Sequence, residues 1–224
     1  MKYAPEIIFA IIVATILTGA YFFSKKAVVK RNLKKAPHKS LQQFRSGETA
    51  RIIGKVECVD EPLIAPLSGR KCAHYYIHVQ QHVSSGKSGH WKTLIEEEVS
   101  NTFVIRDGDK CAIIREQNIK SYIVEDKTYA SGFMNNPTEN LVVYLKKHSH
   151  ESETYFGFNK KIRYHEGILE PGEQTAVLGK GTWKRAQEIG LPEHYYEVLV
   201  ITANDKGKLY LSDDPGTVTK EFSV

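Results

Sequence analysis

GETARIIGK (Gly47–Lys55) and GEQTAVLGK (Gly172–Lys180) repeat nearly one pattern 125 residues apart in a chain of 224 residues. In each, a Gly-Glu pair precedes a run of β-branched and small apolar residues that ends in Gly-Lys, which reads as a turn followed by a strand. No helix follows and the G-x-x-x-x-G-K spacing is missing, so neither copy is a phosphate-cradling loop. Gly54 and Gly179 sit inside the strand pattern, where glycine marks a bulge or a barrel bend. The echo is therefore a feature of fold, and it predicts two related β units.

Two further landmarks support the repeat. HYYIHV (His74–Val79) is echoed by HYYEVL (His194–Leu199), and FVIRDGD (Phe103–Asp109) loosely by LYLSDDP (Leu209–Pro215). Landmarks recurring in one order favour a tandem arrangement. The remaining runs between residues 45–125 and 161–220 are short, rich in Val, Ile and Tyr, and punctuated by Gly, Ser, Pro or Asp. Such units suit small OB-like Greek-key barrels, either one for each copy or one composite barrel to which both contribute. One helix interrupts the pattern. Asn136, Pro137 and Glu139 resemble a capped start, and Leu141, Tyr144, Leu145 and His148 share one face, predicting a packed amphipathic helix over 137–148. The expected class is mainly β (α+β).

The N-terminal region differs in kind. Ile7–Phe23 is 17 residues without a charge, long enough for roughly 26 Å of helix against a hydrocarbon core of about 30 Å. Six basic residues follow it within a dozen positions and one precedes it. These features predict a transmembrane anchor over 1–24 and a basic juxtamembrane linker over 25–40 that faces anionic lipid. They also predict a single-pass topology with the N-terminus outside and residues 25–224 cytoplasmic, at a prokaryotic cell membrane or an organelle membrane. Eight of the 31 Lys and Arg residues lie in the first 39 positions with a single acid, leaving 23 basic against 25 acidic side chains beyond them. The folded part thus has no global electrostatic footprint for nucleic acid, and none is expected as a partner.

Candidate chemistry is sparse. Cys58, Cys72 and Cys111 are too few and too dispersed for a disulfide framework or a zinc ribbon. His74, His78 and His82 share a strand face, but positions four apart lie about 13 Å from one another, too far for one metal ion. Cys72 near His74 lacks an orienting third group, and Asp107 with Asp109 and Asp213 with Asp214 lack the further ligands of a calcium loop. No catalytic residue, metal or cofactor is expected. The insertion EPLIAPLSGRKC (Glu61–Cys72), missing from the second copy, sets Leu63, Ile64 and Leu67 in a loop shaped by Pro62, Pro66 and Gly69. It reads either as a lid over a barrel end or as a contact patch.

The stretch from Leu41 to Val79, the Trp91 after the hairpin, FVIRDG, IRYHEGILEPGEQTAVLGKG and LYLSDDP together resemble the GIDE (BAM) domain. That domain occurs in the mulan/MAPL group of organelle-membrane E3 ubiquitin ligases and in prokaryotic relatives without a RING. The resemblance covers about residues 40–220 and implies a partner-sensing module over 41–224. Ligase activity in that group belongs to a RING with two zinc sites, which three dispersed cysteines do not build. The implied role is binding or scaffolding of a protein partner, and the alternative is an accessory subunit of an enzyme system whose catalytic domain lies on another chain. Within the family-like motifs, Arg70, Arg163, Tyr164 and Glu166 join Leu63, Ile64 and Leu67 as candidate contact residues.

Overall fold

In the computed structural model the two echo strands are each other's partners. Residues 9, 13, 22–86, 88–115, 119–132, 134–154 and 157–219 are described. β1 (Thr49–Cys58) pairs antiparallel with β11 (Gln174–Arg185), Thr49 opposite Lys180 and Lys55 opposite Gln174. Since Thr49 echoes Gln174 and Lys55 echoes Lys180, the pair has a local two-fold axis through Ile52 and Val177. The turns before the strands obey the same symmetry. Gly47 and Gly172 have φ of 90° and 87°, a region open to glycine at little cost. Gly47 N donates to Gly181 O and Gly172 N to Val56 O. In each turn the glutamate carboxylate accepts from the backbone N–H three residues earlier, Arg45 for Glu48 and Glu170 for Glu173.

Three more strands close a barrel on this pair. β6 (Phe103–Asp107) flanks β1, β7 (Lys110–Ile114) follows it antiparallel, and β12 (Glu197–Thr202) runs parallel to β7 and antiparallel to β11. Numbered along the chain, the closed order is 1-2-3-5-4, that of an OB-type barrel. Inward residues alternate along each strand, and Ile52, Val56, Phe103, Ile105, Ala112, Val177, Leu199 and Ile201 fill the interior. The two halves therefore build one composite barrel, not tandem barrels. Of the expected landmarks only the first marks structural equivalence. His74–Tyr76 lies in a strand and His194–Tyr195 in a 3-10 turn, while the symmetry counterpart of β6 is β12.

Insertions into the barrel form a second sheet. β2 (Leu63–Ile64) and β3 (Lys71–Cys72) make a small hairpin. β4 (His74–Ser85) and β5 (Ser88–Ser100) leave the barrel between β1 and β6, whereas β9 (Lys127–Ser131) and β10 (Ile162–Leu169) leave it between β7 and β11. The sheet order is β5-β4-β10-β9. Helix α2 (Glu139–Lys147) lays Leu141, Tyr144 and Leu145 on the inner face, against Tyr75, Ile77, Val79, Ile162, Tyr164 and Ile168. Thr138, not Asn136, caps it by accepting from Leu141 N, so the helix starts later than its sequence suggests. β8 (Ile119–Tyr122) and β13 (Leu209–Ser212) extend the barrel sheet beside β11.

The N-terminal expectations need correction. Among the described residues no helix is long and apolar enough to cross a membrane, so the single-pass anchor and the membrane topology built on it are not supported. The apolar run Ile7–Phe23 lies almost wholly outside the described residues. In place of a linker, Lys25–Lys35 forms helix α1, too polar to span because six of its eleven residues are cations. Val29 and Leu33 are fully buried and seat it on the outer face of β1, β11 and β13, against Ile53, Ala176, Leu178 and Tyr210. A second cover, Ala186–Tyr195, packs Ala186, Leu191 and Tyr195 on the outer face of β6, β7 and β12.

One buried acid gives a pH prediction. Asp213 is 8 % exposed, and burial, assisted by Glu173 and Asp126, pushes its pKa up to about 7 although Val124 N donates to it. Between the ordinary aspartate value and about 7 the folded chain holds a proton that the unfolded chain has lost. This contribution to stability is complete below the ordinary value and is lost as pH rises through the folded pKa. Asp213→Asn is expected to recover about 2 kcal/mol near pH 8 and little near pH 5, as read by urea denaturation at the two pH values.

Candidate partner-binding face

The seven expected contact residues separate in space. Leu67 is buried beside α2, its N–H donating to Glu166 Oε1 at 2.9 Å and its carbonyl accepting from Asn140. Glu166 is itself buried, and Tyr164 stacks on Tyr129 inside the same core. Leu63 is half-buried, and only Ile64 of the apolar trio is exposed, at 57 %. The insertion is thus mostly a lid, folded in because Ala65, Leu67 and Cys72 extend the core under α2. Arg70 lies on its rim, paired with Glu170 and 3.7 Å from Asp126. Arg163 alone points to the other side of the sheet, where it joins residues not among the sequence candidates.

With α1 and Ala186–Tyr195 on the barrel and α2 on the inner side of the second sheet, the outer face of β5-β4-β10-β9 is the broad sheet surface left uncovered among the described residues. Its side chains stand in rows across the strands. Glu96, His78, His165 and Thr128 form one row through all four strands. The imidazoles of His78 and His165 stack at 6.2 Å between centroids, with Thr93 and Thr128 hydroxyls 3.1 Å from their ring nitrogens. Burial holds the His78 pKa below its ordinary value, and the neighbouring His165 acts in the same direction. In the adjoining row Tyr76 donates to Glu96 and lies beneath the Lys25 ammonium. A cavity of about 510 Å³ opens beside Tyr76, lined by Ser24, Lys25, Lys26, Tyr122 and Glu125, and Glu125 also pairs with His165 at 2.9 Å.

The face is electrically divided along the strands. At one end Glu96, Glu97 and Glu98 all have partners within the chain. Burial pushes the Glu98 carboxyl up, but contacts from His74, Ser121 and Lys25 prevail and bring it down to about 2. Glu97 accepts from Tyr75 and Tyr144 on the inner side. At the other end, residues 80–93, 130–132 and 159–163 contain no Asp or Glu. The register shift between Val79 and Gln80 leaves Leu94 as an extra residue in β5. Such a bulge reverses the alternation, so that Trp91 and Thr93, rather than Lys92, stand on the outer face.

Reactive chemistry has little footing here. Cys72 is buried in the inner core, and burial pushes its thiol up to about 11, leaving almost no thiolate to attack a substrate. His74 is buried against Glu98, His78 lies beside His165, and His82 stands edge-on to Trp91. Among the described residues no three His, Cys, Asp or Glu side chains converge as metal ligands would. Period-2 alternation in HYYIHVQ was the available signal for Tyr76, His78 and Gln80. Their neighbours His165, Arg163 and Trp91 are joined to them only by strand pairing. No family model matches the chain, no curated protein matches it, and no solved structure matches it. The resemblance to the GIDE domain accordingly rests on the quoted motifs alone.

Proposed function

We propose that this chain is a binding module without catalytic activity of its own, and that the outer face of its second sheet recruits a protein partner. The supporting observation is that the chain's own helices and turns cover its other broad sheet faces. A sheet face carrying Trp91, Tyr76, Arg163 and two stacked histidines has the composition favoured at interface centres. OB-type barrels commonly bind oligonucleotides over their second and third strands. Here Leu191 and Tyr195 bury that surface of β6 and β7, which favours a protein over a nucleic acid. The GIDE resemblance, which implies a partner-sensing role, points the same way.

A photo-crosslinking residue at Thr93 or Thr128, both exposed on the face, tests the proposal. Each is expected to give a discrete protein adduct in cell extract, and the same probe at Lys206, in an exposed turn beyond the barrel strands, none. Adducts from Lys206 alone, or from none of the three, would overturn it.

A further inference from the structure

We infer that the Trp91 end of this face takes an acidic peptide segment of the partner; this rests on the outer face being the interface. Trp91 is flanked by three cationic or ionisable groups. The Arg163 guanidinium lies over its ring at 4.2 Å, the Lys161 ammonium lies 5.9 Å from the ring centre, and His82 meets it edge-on at 5.3 Å. Arg163 Nε donates to Gln80 Oε1 at 2.7 Å. That bond and the indole ring fix the guanidinium from two sides.

A fixed guanidinium fork matches a carboxylate, and stacking on the indole lowers the ordering cost of binding one. Among the described residues no carboxylate pairs with Arg163 or Lys161. The strand segments beside them, residues 80–93 and 159–163, contain no acid; the exposed Glu153 bridges Asn159 just before Lys160. This local excess of positive charge lies in a chain whose residues beyond position 39 carry slightly more acid than base. The far end of the same strands carries Glu96 and Glu98 beside Lys25, so an acidic segment is favoured at the Trp91 end. The face thereby has a direction as well as a preferred charge. A cluster around one ring suits a few carboxylates, whereas nucleic acid needs cations spaced along a backbone track.

Fluorescence anisotropy of the full chain with a labelled oligo-glutamate peptide tests this, with oligo-glutamine and oligothymidylate as comparators. Oligo-glutamate is expected to bind more tightly than either comparator, and more weakly as salt rises. Arg163→Glu and Lys161→Glu are each expected to weaken binding about tenfold or more, with the thermal midpoint of the exposed Lys161 variant unchanged. Oligo-glutamate binding no better than oligo-glutamine, or insensitivity to Lys161→Glu, would overturn the inference. Tighter oligothymidylate binding would reassign the patch to nucleic acid and overturn it equally. Adducts at Thr93 without oligo-glutamate binding would sink this inference alone, while absence of adducts would sink the wider proposal.

Discussion

Gly54→Ala and Gly179→Ala are each expected to destabilise the protein by about 3 kcal/mol or more, at the top of the usual range for overpacking. A Cβ on Gly54 would lie 2.4 Å from Arg106 O and 2.8 Å from Ile105 Cγ2, and one on Gly179 would lie 2.5 Å from both Thr202 O and Ile201 Cγ2. The obstructing oxygens belong to the backbone of neighbouring barrel strands, so relief requires the strands themselves to separate. The two sites are symmetry counterparts, β6 standing to β1 as β12 stands to β11, and their costs are expected to be similar. Gly132→Ala is the control. Its Cβ would meet only Lys161 atoms at 4.0 Å, and a change within about 0.5 kcal/mol is expected. Urea denaturation of the three variants checks this. A near-neutral Gly54→Ala would mean that β1 and β6 do not approach so closely and that the barrel is wrongly closed.

Leu33→Ala carries the second large effect, about 3 kcal/mol, as expected for a fully buried leucine whose site does not collapse. Helix α1 has eleven residues, too few to hold a helix in water without packing. Its ion pairs, Lys30–Asp214 at 2.8 Å and Lys25–Glu98 at 3.0 Å, are partly exposed, and each contributes about 1 kcal/mol at most. The apolar contacts of Val29 and Leu33 therefore dominate the docking. Hydrogen exchange at the amides of Val29–Lys35 is expected to accelerate sharply in the variant, with the barrel amides much less affected. Unchanged exchange and stability would return the segment to the linker that its charge suggested.

The parts of the fold legible in the sequence were those set by local chemistry. Gly47 and Gly172 announce the same turn because both need positive φ, and the adjoining glutamates are repeated because each accepts from its own turn's backbone. Leu141, Tyr144 and Leu145 reveal their helix by spacing alone. The pairing of one echo with the other was not legible, since it is a contact between halves and no local pattern encodes it. The HYY repeat misled because identical residues serve different backbones. At His74–Tyr76 they alternate along a strand, whereas at His194–Tyr196 the chain makes a 3-10 turn that ends with Tyr196 at φ 53°.

The candidate site was legible in fragments. Arg163 was identified, but its role depends on Gln80 and Trp91, which strand pairing brings to it from far along the chain. Leu67, Tyr164 and Glu166 belong to the fold because α2 and the insertion's apolar residues together cover the inner face of the second sheet. The bulge at Leu94 decides which of Trp91 and Lys92 faces outward, and a single sequence does not display a one-residue register shift.

Hydroxyl-radical footprinting of the full chain, alone and with the partner captured from extract, tests the central claim most directly. The oxidation rates of Trp91 and Tyr76 are expected to fall in the complex, while Tyr196, 81 % exposed at the other end of the barrel cover, keeps its rate. Protection of Tyr196 with Trp91 and Tyr76 unchanged would contradict the assignment and move the interface to the turn that covers the barrel.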